Sequence, residues 1–203
     1  MRAARVPPLL GCLGERAETS SEIFLGGENR AVLRENTQDR TRKTANKKMR
    51  KKIVSVIGGH RCNEEVEQIA HNLGKKLTKV VDILVCGGLS GTMKAVCSGF
   101  KAAGGLTIGI IPGYDKNDAN AFVDIVIPTG LGLARNVLVI KSADVVVALP
   151  GEMGTLSEVA YCLQFGIPLI SLNSWDIKGV IKVETAEEAV DKVKELLILK
   201  RIS

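Results

Sequence analysis

Residues 145–159 read VVVALPGEMGTLSEV and join three local patterns in one short stretch. Residues 145–149 form a continuous aliphatic run rich in β-branched side chains, which predicts a strand buried on both faces. Pro150, Gly151 and Gly154 interrupt that run, and a helical pattern follows. Because a strand, a glycine-bearing turn and a helix in this order form half of a βαβ unit, the stretch indicates a parallel sheet covered by helices.

The rest of the chain repeats this alternation. Aliphatic runs at residues 53–57, 83–85, 107–111, 125–127 and 169–172 are separated by stretches with helical apolar spacing. A final helix is predicted over residues 185–200, with one face formed by Ala186, Ala189, Val190, Val193, Leu196 and Leu197. The predicted fold is therefore α/β, with a doubly wound, mainly parallel sheet of the Rossmann-like type.

Residues 1–48 differ from this pattern because they lack a sustained apolar period. A run such as RENTQDRTRKTANKK at residues 34–48 cannot bury enough surface to offset the entropy lost on ordering. We predict a disordered basic tail over residues 1–48 and a Rossmann-like nucleotide-binding domain over residues 49–203. Met49 opens a natural domain beginning, so a start codon placed too early would also explain the tail.

The distribution of charge argues against a nucleic-acid partner. The formal net charge is +6, but residues 1–48 hold ten of the 28 basic and six of the 22 acidic side chains. The predicted domain is therefore close to neutral, and aromatic residues make up only 3% of the chain. Single-stranded DNA binding needs a basic groove with stacking aromatics.

Cysteine usage and hydropathy indicate in which cellular compartment the protein is expected. The five cysteines form no C-x-x-C pair, and most lie in apolar segments where a thiol behaves as a small hydrophobe. This usage favours a reducing, cytoplasmic location. No run reaches the roughly 18 apolar residues of a membrane span, and the apolar part of MRAARVPPLLGCLGER is short and broken by Pro7 and Pro8, so a secretory signal is not expected.

The turns that follow the predicted strands are rich in glycine, and two of them are long, residues 87–92 and 150–155. In doubly wound sheets ligands lie outside the carboxyl ends of the strands. Glycine lets the backbone approach a ligand, and the free N–H groups of a helix start attract an anion such as phosphate. Glycine also serves tight turns alone, but two long glycine turns favour a phosphate site. Neither G-x-G-x-x-G nor G-x-x-x-x-G-K-[ST] occurs.

Glu158 follows the second glycine turn by one helical turn. Gly154 and Glu158 are separated by roughly 6 Å of helix axis, a span comparable to that from a 5′-phosphate to the anomeric carbon of its ribose. A carboxylate there could stabilise an oxocarbenium-like centre or direct water to it. Thr155-x-x-Glu158 is also a capping-box pattern. Thr185-x-x-Glu188 has the same pattern without a glycine turn before it, so capping alone does not require the turn.

The pattern Pro150-Gly151-x-x-Gly154-Thr155-x-x-Glu158 resembles the P-G-G-x-G-T-x-x-E signature of the lonely guy (LOG) family, phosphoribohydrolases long mislabelled as lysine decarboxylases. The likeness spans residues 49–197. It implies cleavage, without a cofactor, of the N-glycosidic bond of a nucleoside 5′-monophosphate such as AMP. Molybdenum cofactor carrier proteins and the DprA/Smf DNA-processing proteins are relatives of that family. The carriers suggest an alternative, a pterin-binding protein without catalytic activity.

The resemblance also implies roles for individual residues. Arg135, fifteen residues before Pro150, corresponds to the family's arginine and would form the catalytic pair with Glu158. An arginine is too basic to donate protons well at neutral pH, so its role would be to orient charge. The phosphate or nucleotide would be bound by Pro150, Gly151, Gly154 and Thr155 in one turn and by Gly87, Gly88, Gly91 and Met93 in the other. LOG proteins are typically dimers or larger, so a homo-oligomer is expected.

Two departures from the LOG pattern favour the carrier-like alternative. Glu152 replaces the second glycine of P-G-G and places an acid beside the predicted phosphate. The first glycine turn reads G-G-L-S-G-T-M, one residue shorter than in LOG enzymes. Metal binding is not predicted, because His60 and Cys62 lack further ligands at suitable spacing. His60 is interpreted as a solvated loop residue, and Trp175 as a packing residue.

Overall fold

The structure, a computed structural model, describes residues 50–202. The predicted tail at residues 1–48 lies outside this range. None of the helices between residues 50 and 202 has the length and apolar character needed to cross a bilayer.

Seven strands form one sheet in which every neighbouring pair is parallel. The strands are β1 (Ile53–Ile57), β2 (Ile83–Cys86), β3 (Leu106–Ile111), β4 (Ile125–Pro128), β5 (Val145–Ala148), β6 (Leu169–Leu172) and β7 (Ile181–Val183). Their order across the sheet is β4-β3-β2-β1-β5-β6-β7. The doubly wound, Rossmann-like prediction is confirmed. The sequence interpretation missed β7, a three-residue strand at the edge of the sheet.

Residues 50–202 contain five α-helices, four of which lie between strands while the fifth follows β7. They are α1 (Glu64–Leu77), α2 (Thr92–Ala102), α3 (Asn136–Lys141), α4 (Met153–Phe165) and α5 (Ala186–Ile202). Short 3-10 turns occupy Lys116–Asp118 and Gly132–Arg135. Alternate side chains of one strand enter two separate cores, as Val145 and Val147 join one cluster while Val146 joins the other. The first core contains residues of α1, α2 and α5, and the second contains residues of α3 and α4.

The central strand β1 marks the point where the chain reverses direction across the sheet. The chain runs outward from β1 through β2, β3 and β4 on one side, and through β5, β6 and β7 on the other. The last residues of β1 and β5, Ile57 and Ala148, are register partners. The turns that follow the two strands are therefore neighbours, and the Gly59 N–H donates to the Pro150 carbonyl at 3.0 Å. This switch point is where open α/β sheets hold their ligands.

Candidate functional site

A cavity of about 250 Å³ opens at the switch point. It is lined by the turns after β1, β2 and β5, by the first turns of α2 and α4, and by the 3-10 turn that leads into α3. Six of the residues singled out from the sequence contribute to its wall: Gly87, Met93, Arg135, Gly154, Thr155 and Glu158. The topology therefore brings together residues that are up to 71 positions apart in the chain, from Gly87 to Glu158.

The other four predicted binding residues, Gly88, Gly91, Pro150 and Gly151, do not line this cavity. Gly91 has a φ of 63°, and a Cβ there would lie 2.5 Å from the Gly59 carbonyl oxygen. A Cβ at Gly151 would collide with the Thr155 side chain. These two glycines let the turns approach each other closely, and this approach determines the shape of the cavity. A direct contact between any of the four and a ligand stays a prediction.

Gly154 differs from those glycines because the fold does not require it. It lies in the first turn of α4, and a Cβ built on it would meet no heavy atom within 4 Å. Alanine is preferred over glycine by about 1 kcal/mol inside a helix. The missing side chain therefore leaves free space on the cavity wall where the helix N–H groups point outward.

A buried arginine and a buried glutamic acid lie side by side in the wall of the cavity. The Arg135 Nη1 lies 3.8 Å from the Glu158 Oε1, and each side chain is only 8% exposed. That separation is too long for a hydrogen bond, so the guanidinium compensates the buried carboxyl incompletely. Burial raises the pKa of Glu158 to about 8, although Arg135 acts in the opposite direction. At neutral pH the protonated, uncharged form of Glu158 predominates.

Arg135 is held by hydrogen bonds to groups other than Glu158. Its Nη2 donates to the Gly87 carbonyl at 3.3 Å, and its Nη1 donates to the Asn136 Oδ1. The Arg135 Nε is buried without a hydrogen-bond partner. Burial lowers the pKa of Arg135, and the nearby Glu158 partly restores it. Gly87 must lack a side chain here, because a Cβ would lie 2.6 Å from the Arg135 Nη2.

Asn136 is a site residue that sequence reasoning missed. It is 3% exposed, and while its Oδ1 accepts from Arg135, its Nδ2 donates to the Gly154 carbonyl at 3.3 Å and to the Ser157 Oγ at 3.1 Å. Asn136 thus connects the arginine to the first turn of α4. No motif marks it, since its side chain contacts residues that follow 18 and 21 positions later in the chain.

The helix start itself rules out the capping-box interpretation of Thr155 and Glu158. Helix α4 begins at Met153, its N-cap is Glu152, and no side chain there accepts a capping hydrogen bond. By contrast, at the start of α5 the Glu188 N–H donates to the Thr185 Oγ1 at 3.2 Å, and the Glu184 N–H donates to the Glu188 carboxylate at 2.9 Å. The two similar sequences therefore differ in role: Thr185 and Glu188 cap a helix, whereas Glu158 lines the cavity.

The turn after β1 contributes His60 and Arg61 to the cavity wall, although both are also exposed to solvent. His60, interpreted from the sequence as a solvated loop residue, is exposed and also lines the cavity. Trp175 packs against the second core and donates its Nε1–H to the Gly151 carbonyl at 3.1 Å, which supports the β5–α4 turn from outside. Within residues 50–202, no three His, Cys, Asp or Glu side chains converge as metal ligands.

A family model described as the SLOG cluster4 family matches residues 51–200, which include every strand and helix start described above. The chain belongs to the SLOG cluster4 family. An uncharacterized protein from Archaeoglobus fulgidus is 40% identical over 139 residues, which cover 68% of this chain and 91% of that protein. The family supports the superfamily relationship that the glycine-rich signature predicted.

Two solved structures resemble this SLOG protein over nearly their entire length. The molybdenum cofactor binding protein of Rippkaea orientalis is 34% identical, with a TM-score of 0.69, and the alignment covers 73% of this chain and 99% of that one. The molybdenum cofactor carrier protein of Chlamydomonas reinhardtii is also 34% identical, with a TM-score of 0.68 and the same coverage. Both are similar in the domain that contains the cavity.

A more distant structural similarity bears on the prediction that this protein has no nucleic-acid partner. DNA processing protein A from Helicobacter pylori, whose structure is described for its single-stranded DNA binding mode, is 19% identical with a TM-score of 0.55 and covers 71% of this chain and 80% of that one. At this identity the likeness shows the fold alone. It gives no support for excluding nucleic acid, so that exclusion stays a prediction from charge and composition.

Proposed function

We propose that this SLOG protein binds a small anionic heterocycle of the pterin or nucleotide class and releases it unchanged, in the manner of a carrier. The observation that carries this proposal is the cavity at the switch point, whose wall combines the start of α4 with the buried Arg135 side chain. A carboxyl whose pKa is about 8 is mostly uncharged at pH 7. The uncharged form cannot stabilise an oxocarbenium-like centre by its charge or draw a proton from water, which are the two roles that the sequence suggested for this carboxylate. The similarity to two molybdenum cofactor proteins supports the same conclusion.

The anionic group of the ligand would bind at the start of α4. The amides of Gly154 and Thr155 lie in its first turn, where N–H groups have no partner within the helix. The positive end of the helix dipole adds to the attraction. The charged Arg135 guanidinium lines the same cavity. With Glu158 protonated, its carboxyl does not oppose an anion there.

A second function, phosphoribohydrolase activity on a nucleoside 5′-monophosphate such as AMP, is favoured by the Arg135–Glu158 pair. Buried titratable pairs in a cleft with shifted pKa values are typical of catalytic sites. Hydrolysis would depend on ionised Glu158, and ionisation increases as the pH rises through about 8. The two proposals therefore differ in their pH dependence, because turnover would be low at pH 7 and would increase towards pH 9.

One experiment separates the two functions. Purified protein would be titrated with AMP, GMP and 6-carboxypterin by calorimetry, and the same mixtures would be examined for free base by chromatography at pH 7 and pH 9. Saturable binding without base release at both pH values supports the carrier function. Release that rises towards pH 9 and disappears in Glu158→Gln would instead establish the hydrolase. Absence of any binding would overturn both.

Replacing Gly154 by valine tests whether the free space at the start of α4 belongs to the ligand. A Cβ there would lie more than 4 Å from the atoms of other elements, so we expect the melting temperature to change by only a few degrees. Ligand affinity should fall by about tenfold or more, because a branched side chain fills the anion subsite. Ala160→Val is the matched control, since Ala160 is an exposed residue of the same helix that does not line the cavity. Unchanged affinity in Gly154→Val would show that the anionic group of the ligand does not bind at this turn.

The remaining expectations stay predictions. A homo-oligomer is expected from the family resemblance, and exposed apolar side chains on the α3 and α4 side, such as Leu138, Tyr161 and Phe165, are compatible with a protein partner. The cytoplasmic location rests on cysteine usage alone.

A further inference from the structure

Glu152 is a cavity residue with no structural task in the described part of the chain. Glu152 is exposed to solvent and is one of the residues that line the cavity. Although it is the N-cap of α4, it makes no side-chain capping hydrogen bond. Within residues 50–202 its carboxylate forms no ion pair either. An unpaired carboxylate on the wall of a ligand cavity is available to bind the ligand itself.

The charges around the cavity would orient a ligand that carries an anionic group at one end. Arg61 and Arg135 are the cations of the wall, and Glu152 and Glu158 are the acids. Glu158 is buried beside Arg135, and burial raises its pKa to about 8, whereas Glu152 is an exposed residue of the wall. The anionic group of a ligand is attracted to the arginines and the helix amides and is repelled by Glu152. N–H donors on another part of the ligand would find acceptors in the Glu152 carboxylate.

A carboxylate has two acceptor oxygens and no donor, so it fits two adjacent N–H groups. The 2-amino-4-oxopyrimidine edge presents such a pair, a ring N–H beside an exocyclic amino group, and it occurs in both pterins and guanine. Adenine presents a ring acceptor beside its amino group, and hypoxanthine has a single donor on that edge. We propose that Glu152 binds the 2-amino-4-oxopyrimidine edge of the ligand, so that the cavity selects pterins and guanine nucleotides over adenine nucleotides.

This inference rests on the proposed ligand binding, and it changes the expected ligand. The sequence resemblance suggested AMP, whereas Glu152 disfavours the adenine edge. It also gives a reason for the departure from the P-G-G pattern at this position. A second glycine would leave the turn neutral, while a glutamate adds recognition of the heterocycle at the cost of some repulsion of the anionic group.

The test uses ligand pairs that differ only at the 2-position. GMP is compared with IMP, which lacks the amino group, and 6-carboxypterin with 6-carboxylumazine, which has an oxygen there. Wild-type protein and Glu152→Gln are titrated with all four at pH 7. Glu65→Gln is the matched control, because Glu65 is an exposed glutamate in the first turn of α1 and lies outside the cavity.

We expect wild-type protein and Glu65→Gln to bind GMP and 6-carboxypterin about tenfold more tightly than their partners, the worth of one charge-assisted hydrogen bond. Glu152→Gln should bind both members of each pair with nearly equal affinity, while its affinity for IMP changes little. Equal affinities within each pair in wild-type protein, or a preference that survives in Glu152→Gln, would overturn this inference and leave the proposed binding intact. If none of the four ligands binds, the proposed function fails as well.

Discussion

Replacing Arg135 by alanine is expected to lower the free energy of unfolding by about 3 kcal/mol and to weaken ligand binding by about thirtyfold at pH 7. The side chain is 8% exposed and donates to the Gly87 carbonyl and the Asn136 Oδ1. Its removal leaves two buried acceptors without partners and opens a void in the cavity wall. It also removes the cation that would attract the anionic group of the ligand. Chemical denaturation and calorimetric titration measure the two effects.

The chain contains a matched control for this substitution. The Arg50 Nη2 lies 3.8 Å from the Asp144 carboxylate, the same N···O separation as in the Arg135–Glu158 pair, but the Arg50 side chain is 81% exposed. Exposed ion pairs contribute between zero and about 1 kcal/mol. Arg50→Ala should therefore change the free energy of unfolding by less than about 1 kcal/mol and leave ligand affinity unchanged. Similar losses in both variants would show that burial of Arg135 has no special role.

We expect lysine to be a poor substitute for Arg135 in stabilising the fold. The guanidinium donates through two nitrogens to groups on different elements, whereas an ammonium group is a compact point charge. We expect Arg135→Lys to recover less than half of the lost stability. Full recovery would mean that charge alone, and not the forked contact with Gly87 and Asn136, fixes this residue.

The fold could be predicted from the sequence because parallel strands buried on both faces appear as continuous aliphatic runs. Six strands and the last helix were placed within two residues of their observed ends. The seventh strand, Ile181–Val183, is short and lies at the edge with a mixed burial pattern, so it has no such run. Boundaries at turns were less certain because Leu149 continues the aliphatic run of β5 while the strand ends at Ala148.

The site was predictable only where a motif fixes the backbone. The two long glycine turns and Glu158 could be located because a close approach to a ligand or another turn needs glycine at defined positions. His60, Arg61 and Asn136 have no such signal, since their places depend on which strands are neighbours. The order of strands in the sheet puts the turn after β1 beside the turn after β5, and the sequence does not state that order.

The ionisation of Glu158 should make stability fall as the pH rises. Its folded-state pKa, about 8, is raised from an ordinary value of 4.5. Between these two values the folded protein holds a proton that the unfolded chain has released. The contribution is therefore complete below about pH 4.5 and is lost as the pH rises through about 8. Each pH unit in this window removes about 1.4 kcal/mol from the free energy of unfolding.

Glu158→Gln isolates this effect because glutamine stays uncharged at every pH and has nearly the same shape. We expect the difference in free energy of unfolding, wild type minus Glu158→Gln, to fall by about 3 kcal/mol between pH 5.5 and pH 7.5. All other titrating groups occur in both proteins and cancel in the difference. Urea denaturation at a series of pH values gives this quantity directly. A difference that does not change with pH would show that Glu158 is ionised in the folded protein at pH 7, which would remove the main objection to hydrolysis in this cavity.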